Sequence, residues 1–443
     1  MLTLRKRRWV QWAAGYLLLC QIQALDIVDR AIYGEWNAKP GDKITQVINI
    51  VQIAVSIALF YRGSRYWLYL RRGGFLSITL AVFLLCSAAW SVSSGSTLRA
   101  GVEYLFLIIG AVGVAENLEG DDFMDLLAWV CFLSAIASLV LLVVSPASAF
   151  GGAHDFRGVF SQKNPLGEAM SMGVLASLHG LRVGKRSRFL GIIMLSAVTF
   201  VTIKSESMTS LLAIVLFVCL GTAIQSLQKR GTARILVLNG IFIVLPVALI
   251  AAFNQHFLLE TLGKDPTLTG RTDIWNFVIP DIYHRPLLGW GYRAFWTFDN
   301  PAAFEIADAL HMWLPQAHNG ILEMLLSVGL VGTVYFIYLW GRTVWLSLKC
   351  MRTSESAMAT TCVLSCAGVV LVGVSETVVL YSGAITFVFF ITGFFCERAV
   401  TTARWRQTDA FRRPVRVESV HARAARSSRE RPLQQGSRAA LRS

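Results

Sequence analysis

The sequence predicts an all-α, polytopic integral membrane protein with about twelve transmembrane helices and one long loop outside the membrane. Of its 443 residues, 55% are hydrophobic and only 15% are charged, which is far from the balance of a soluble globular domain. Apolar runs of roughly 18 or more residues recur along the whole chain, and each can cross a hydrocarbon core of about 30 Å as a helix. The strands of a membrane β-barrel would alternate apolar and polar residues instead.

The predicted spans follow one another from the N-terminus. The first follows the basic run 5–8 and looks like a signal sequence, but no small-x-small cleavage site comes after it, so we expect an uncleaved first span. The segment 254–316 is the one long stretch polar enough to stay in water. The predicted spans are 9–26, 44–61, 75–92, 101–116, 125–144, 165–182, 189–204, 207–225, 235–253, 317–341, 357–375 and 383–398.

Clusters of lysine and arginine mark every second loop between these spans, at 62–72, 182–188, 229–234 and 342–352. The positive-inside rule therefore places these loops and both termini in the cytoplasm, and the 254–316 loop outside; the acidic loop 116–125 has little weight in that rule. We expect residues 1–398 to form the membrane-embedded domain, and 399–443 to form a basic, disordered cytoplasmic tail. Attraction to anionic lipid head groups explains the basic residues of that tail better than binding to nucleic acid does. We therefore predict no nucleic-acid partner.

Ionisable residues cluster on the segments predicted to lie outside. Arg157, Lys163 and Asn164 lie on the loop 145–164, and Lys204 lies in a tight turn between two spans. Ionisable groups in or near a membrane are candidates for function, and together these cations would give a cationic cavity for an anionic group. The alternative is simple anchoring at the membrane interface.

The long loop and the start of the next span add four candidates. The guanidinium of Arg271 suits bidentate binding of a diphosphate, although it could equally reach a lipid head group. His318 begins a span, where a neutral imidazole could act as a general base or could pair with a backbone carbonyl. Asn319 and Glu323 follow it, and Glu323 is expected to help only in the acceptor site.

Aromatic residues and possible metal ligands also have two competing explanations each. Sugar rings pack well on aromatic faces, but aromatic residues also belong at membrane interfaces. The histidines lack an H-x-x-x-H pair, and Asp26 and Asp29 adjoin Arg30, so we predict neither a metal site nor a cofactor. The aromatic candidates are Trp275, Trp290, Tyr292, Trp296 and Trp313.

Several short motifs follow one another between about the third span and the twelfth. No single motif is specific, but their order is. The ordered set resembles the O-antigen ligase and polymerase superfamily, and Gly320, Glu323 and Ser375-Glu376 look closest to its exopolysaccharide-production polymerases. Ser327 departs from many ligases, which carry an acid two residues before the glycine. The motifs are Trp90-Ser91-Val92 with Arg99, Arg157 to Phe160 with Lys163-Asn164 and Gly167, Lys204-Ser205 with Thr209-Ser210, Gly270-Arg271 with Trp275, Pro286 to Gly291, and His318-Asn319 with Gly329 and Gly332.

We predict that the reaction needs no metal, because fixed cations can neutralise a good leaving group. The resemblance implies a membrane-embedded glycosyltransferase of the bacterial inner membrane that needs no nucleotide sugar. It would use an undecaprenyl-diphosphate-linked glycan as donor at the periplasmic face, with a glycan or the lipid A core as acceptor, among membrane lipids and other polysaccharide-assembly proteins. It also implies that Arg157 and Arg271 hold the diphosphate and that His318 acts on the acceptor hydroxyl.

Three other functions stay open: ligation onto the lipid A core, a flippase or exporter of the lipid-linked glycan, and an assembly subunit without a reaction of its own. The polar residues crowd the outer side, which favours chemistry there over passage across the membrane.

Overall fold

The fold was analysed in a computed structural model that describes residues 2–28, 43–63, 73–151, 155–227, 270–374, 376–377 and 380–412, without the side chains of 2–7, 270–272 and 404–412. The predicted all-α class is confirmed. Across these ranges the secondary structure is helical apart from one isolated β-bridge between Phe150 and Phe156. The principal helices are α1 Leu2–Gln21, α2 Lys43–Arg62, α3 Gly74–Cys86, α4 Ser94–Asn117, α5 Gly120–Val144, α6 Lys163–Val183, α7 Arg188–Lys204, α8 Met208–Leu227, α9 Gly270–His284, α10 Pro301–Leu310, α11 Gly320–Cys350, α12 Ser356–Gly373 and α13 Ala384–Arg412.

Helix length and composition confirm a polytopic membrane protein. Within the described ranges, seven helices are long and apolar enough to cross a membrane, namely α2, α4, α5, α8, α11, α12 and the first part of α13. The shorter α3 and the helices α1, α6 and α7 coincide with other predicted spans. The predicted span 235–253 lies outside the described residues, so the count of twelve stays a prediction.

Ion pairs show which helix ends share a face. Arg186 binds Asp125 at 2.5 Å, and Arg398 binds Glu119 at 2.8 Å. These contacts place the basic loop 182–188 and the acidic loop 116–125 at one end of the bundle, as the alternation of loops predicted. We call the other end, which carries residues 270–316, the loop face.

The 270–316 segment is a small folded unit with two helices, α9 and α10, where the sequence led us to expect one long loop. The segment has its own apolar core, which also receives Leu326 from α11. Asn300 caps α10 by accepting a hydrogen bond from the Ala302 amide at 3.3 Å, and Pro301 occupies the first turn, where its missing N–H costs nothing. The core side chains are Ile274, Val278, Phe295, Ile306, Leu314, Ala317 and Leu326.

Helix α11 is interrupted at Gly329, whose φ of 62° and ψ of −165° are non-helical. The interruption is filled by the loop 286–291, so the polar backbone groups that it frees are paired. The amide of Trp290 donates to Leu326 O at 2.7 Å, and the amide of Leu330 donates to Pro286 O at 2.8 Å. A Cβ on Gly329 would lie 2.3 Å from Leu287 O, so only glycine fits at this contact.

The same loop is tied to the residues that follow α3. The indole of Trp90 donates to Leu288 O at 3.0 Å, and the Val92 amide donates to Trp290 O at 3.1 Å. Gly291, with φ of 100°, lies so close to Ser91 that a Cβ would approach its side chain to 2.4 Å. These motifs therefore hold the 270–316 segment against the membrane helices.

The chain separates into two compact units, Met1–Val400 and Thr401–Ser443. The first contains the membrane helices and the 270–316 segment. The second comprises the end of α13 and residues 413–443, which lie outside the description. The predicted roles of the two parts stay predictions.

Candidate functional site

A cavity of about 230 Å³ opens at the loop face, between the end of α1, the start of α6, the residues before α11 and the residues between α12 and α13. The volume is below the roughly 300–1,000 Å³ of sites that bury a drug-sized ligand. The cavity can therefore enclose a small molecule or only part of a longer one. The side chains that bring chemistry to its wall are Asn164, Glu168, Gln316, His318, Glu376 and Tyr381.

His318 lies in this wall, as predicted for a residue that begins the span. It immediately precedes Asn319, the N-cap of α11, and has a left-handed φ of 50°. Non-glycine residues in that region cost about 1–3 kcal/mol and concentrate at functional sites. Its Nδ1 atom lies 3.6 Å from a Glu376 carboxylate oxygen and 3.2 Å from the amide nitrogen of Gln316.

Glu376 is the centre of the polar contacts around His318. Its carboxylate accepts hydrogen bonds from Asn164 at 3.0 Å and from Gln316 at 3.1 Å, and only 8% of its side chain is exposed. The Thr377 hydroxyl in turn donates to Oε1 of the Gln316 side chain. We call His318, Gln316, Glu376 and Asn164 the His318 cluster. Buried polar groups paired in this way hold one another in a single arrangement.

A close helix contact brings the two halves of the His318 cluster together. Gly320 begins α11, and a Cβ there would lie 2.9 Å from Gly373 O at the end of α12. The absence of a side chain lets the start of α11 approach the end of α12, which carries Glu376 three residues beyond Gly373. This approach explains a glycine at the first turn of α11.

Asn319 and Glu323 support the turn that carries His318. Asn319 Oδ1 accepts from the amides of Ile321 and Leu322 at 3.0 and 3.1 Å, which is an N-cap arrangement. Glu323 is 2% exposed, and one carboxylate oxygen accepts from the Ala317 amide and the Trp296 indole, each at 2.9 Å. Neither residue lines the cavity. Contact of Asn319 and Glu323 with substrate stays a prediction. The hydrogen bonds described above already give each residue a structural role.

Arg293 is a residue that sequence reasoning missed. It has a left-handed φ of 55°, its guanidinium carbon lies 4.2 Å from the ring centroid of Tyr381, and it pairs with Glu103 at 4.0 Å. Burial would lower the pKa of Arg293, but the neighbouring tyrosines and Glu103 raise it, so the charge is retained. Burial raises the pKa of the Tyr381 hydroxyl, which stays protonated in the cavity wall. The nearby motif Gly289-Trp290-Gly291 was the available signal.

The predicted cations are not gathered in the cavity wall within the described residues. Lys163 pairs with Asp155 at 2.8 Å, and Lys204 is exposed at the end of α7. Arg157 packs its side chain over Gly151 in the loop before α6. Arg271 lies in the first turn of α9, and its side chain is outside the description. Binding of an anionic group by these four residues stays a prediction.

Most of the candidate aromatic residues serve the 270–316 segment itself. Trp275 donates to Ala317 O at 3.0 Å, and Trp290 donates to Asp281 O at 3.0 Å. Trp296 is bound to Glu323, and Tyr292 is 1% exposed with its hydroxyl donating to Leu380 O. Trp313 alone among the five belongs to an exposed ring cluster.

The acids of the cavity wall were missed or under-used by sequence reasoning. Glu168 lies inside the predicted span 165–182, where an ionisable residue is itself a functional signal. Glu376 was noted only as part of the Ser375-Glu376 motif of the family resemblance. Ser375 lies outside the described residues. Gln316 was the last residue of the predicted 254–316 loop, and the sequence indicated no role for it.

Known proteins were then compared with the chain. A family model described as O-antigen ligase matches residues 190–337, which include the 270–316 segment and His318. The chain is 28% identical to the exopolysaccharide production protein ExoQ of Rhizobium meliloti (strain 1021) over 267 residues, 57% of this chain and 60% of that protein.

The chain is similar to the O-antigen ligase and polymerase superfamily. The resemblance drawn from the motifs is thereby confirmed.

Two shorter similarities point to the same superfamily. The chain is 32% identical over 88 residues to a protein of Rickettsia prowazekii (strain Madrid E) that is provisionally named a polysaccharide ligase, covering 19% of this chain and 22% of that protein. A protein of the same provisional name from Rickettsia typhi (strain ATCC VR-144 / Wilmington) is 32% identical over 90 residues, again 19% and 22% of the two chains. The match therefore spans about three fifths of ExoQ and about a fifth of each rickettsial protein.

Proposed function

We propose that this protein transfers a glycan from undecaprenyl diphosphate to the hydroxyl of an acceptor sugar, at the periplasmic face of the bacterial inner membrane. The observation that carries the proposal is the His318 cluster, a histidine beside a buried carboxylate in a cavity at the loop face. The similarity to the superfamily supports this class of reaction, since the matching O-antigen ligase model covers His318. Both termini would then be cytoplasmic, in keeping with the basic loops at the opposite face.

The proposed reaction is a displacement at the anomeric carbon of the donor sugar. The acceptor oxygen forms a bond to that carbon, the bond from the carbon to the diphosphate oxygen breaks, and undecaprenyl diphosphate leaves. The acceptor proton goes to Nε2 of His318. A sugar hydroxyl is a poor nucleophile at neutral pH, and a positioned general base contributes about 10²–10⁴-fold to such a step.

Glu376 acts on His318 rather than on the substrate. In the tautomer with a proton on Nδ1, Nε2 is free to accept the acceptor proton. This tautomer requires the Gln316 amide nitrogen, 3.2 Å from Nδ1, to move away, and the 3.6 Å separation from the Glu376 oxygen to shorten to a hydrogen bond. The carboxylate then stabilises the imidazolium that forms, as in other histidine–carboxylate pairs. Gln316 and Asn164 hold the carboxylate in place.

The diphosphate leaving group needs positive charge, and Arg271, Arg157, Lys163 and Lys204 are the proposed sources. Fixed cations can neutralise a leaving group where a nucleotide-sugar enzyme would use a divalent ion, so the reaction is proposed to need no metal. Lys163 already pairs with Asp155 at 2.8 Å, so its charge would be shared between that carboxylate and the diphosphate.

Between polymerisation and ligation we favour polymerisation, because Gly320, Glu323 and Ser375-Glu376 resemble the exopolysaccharide-production polymerases, and ExoQ is named for exopolysaccharide production. The ligase reading predicts a different product, a glycan on the lipid A core. A deletion strain separates the two: single repeat units without polymer indicate a polymerase, and intact polymer stranded on the carrier lipid indicates a ligase.

The test of the catalytic role compares two histidine variants of the purified full-length protein. His318→Asn keeps a residue type that tolerates positive φ, and His311→Asn is its matched control, since His311 also has a left-handed φ, of 52°, but lies outside the cavity wall. With the lipid-linked donor from the producing strain, His318→Asn should lose about two to four orders of magnitude in turnover, whereas His311→Asn should stay near wild type. Wild-type turnover by His318→Asn would refute the general base.

A further inference from the structure

An aromatic cluster stands on the surface of the 270–316 segment, outside the cavity. The rings of Phe298 and Trp313 stack with centroids 4.4 Å apart and an interplanar angle of 18°, and Phe304 meets Trp313 at 5.3 Å. Phe298 nevertheless keeps 73% of its surface exposed, and Phe304 keeps 48%. One face of Phe298 is therefore supported by Trp313, while the opposite face is open to a ligand as far as the described residues reach.

The charges beside this aromatic cluster distinguish between two kinds of occupant. Helix α10, which carries Phe304, is amphipathic, but its exposed residues include Glu305 and Asp308 and it has no lysine or arginine. Helices that lie on a membrane surface are instead rich in basic residues. Asp308 follows Phe304 by four residues, so the carboxylate and the ring share one face of the helix. A flat ring beside hydrogen-bond acceptors suits a sugar, which has C–H faces and hydroxyl groups.

The position of the aromatic cluster fits a glycan that continues beyond the cavity. Trp313 precedes His318 by five residues, which limits the separation of their Cα atoms to about 18 Å. The cavity can enclose only part of a longer chain, and Pro315 and Gln316, which line it, lie on the segment that joins Trp313 to His318.

We infer that Phe298, Phe304 and Trp313 form a sugar-stacking subsite that binds a pyranose ring of the glycan next to the one in the cavity. The inference rests on the proposed function for the identity of the glycan. The outer face of Phe298 is the stacking surface, Trp313 fixes its orientation, and Asp308 accepts hydrogen bonds from sugar hydroxyls. The subsite acts in binding and takes no part in the chemical step.

The test measures binding of free oligosaccharides to the full-length protein in nanodiscs. The probes are fragments of one to four repeating units released from the producing strain's own polymer, and the readout is saturation-transfer NMR on their ring C–H protons. Phe298→Ala should weaken binding by about three- to tenfold, the range expected for loss of one aromatic contact. Phe298→Trp should retain binding. The matched control is Tyr283→Ala, which removes an equally exposed ring of α9 outside the cluster and should change nothing.

Phe298→Leu distinguishes sugar stacking from burial in lipid. Leucine preserves apolar contact with a membrane but offers no ring face, so it should weaken oligosaccharide binding as much as alanine does. Wild-type binding by Phe298→Leu, or by Phe298→Ala, would overturn the subsite. The outcome is separable from the proposed function because binding is measured with free fragments, without the lipid-linked donor that transfer needs. Binding without transfer by the wild type would refute the transferase and leave the subsite standing.

Discussion

Replacing Gly329 by alanine should loosen the 270–316 segment from the membrane helices. The backbone at Gly329, with φ of 62° and ψ of −165°, lies in a region that is essentially restricted to glycine, and another residue there costs about 1–3 kcal/mol. The added Cβ would lie 2.3 Å from Leu287 O, an overlap that backbone shifts relieve at a further cost of about 1–3 kcal/mol. We therefore expect Gly329→Ala to destabilise this contact by about 2–6 kcal/mol.

The assay combines thermal unfolding with limited proteolysis of the detergent-purified protein. Gly329→Ala should lower the apparent unfolding midpoint and speed tryptic cleavage after Arg293, which is half-buried in the docked segment. Gly341→Ala is the matched control, because it lies on the same helix with no atom within 4 Å of its added Cβ, and alanine there should stabilise α11 by up to about 1 kcal/mol.

A second variant tests whether the loss occurs at the docking contact. Gly289 has φ of 67°, and its Cβ would lie 2.6 Å from Leu326 O, on the other side of the same interface. Gly289→Ala should also lower the unfolding midpoint and speed cleavage. The double variant should be destabilised by less than the sum of the two single variants, since both substitutions break the same contact. An unfolding midpoint and cleavage pattern of Gly329→Ala equal to those of Gly341→Ala would refute this reasoning.

Three further predictions concern the site and its setting. Asn319→Ala should cost about 0.5–2 kcal/mol of stability through loss of the α11 cap, whereas Asn319→Asp should retain the cap; unfolding midpoints of the two variants check this. Turnover by the purified enzyme should survive excess chelator, and a loss restored by magnesium would contradict this and bring Asp26 forward as a ligand. Reporter fusions at Lys264 and Lys349 should lie on opposite sides of the membrane, and a shared side would remove the periplasmic site.

The sequence alone was sufficient for the class of fold, because a bilayer admits few solutions. A span must be helical, must be about 20 residues long and must be apolar, so each membrane helix leaves a local signal. The alternation of basic loops also predicted which helix ends share a face, and the ion pair between Arg186 and Asp125 confirms one such pairing. The position of His318 at the start of a span was also a local signal, since it stands beside Asn319, a residue typical of helix caps, whereas its catalytic role stays a prediction.

The tertiary structure decided how residues distant in the chain combine, because contact between helix ends depends on packing that no local pattern records. Glu376 lies 58 residues after His318, and the two meet only because Gly320 lets α11 approach α12. Because of the same packing, Trp296 binds Glu323, and the two support the turn that carries His318. Residue type at one position reports what a side chain can do, whereas its partners depend on the three-dimensional arrangement of the helices.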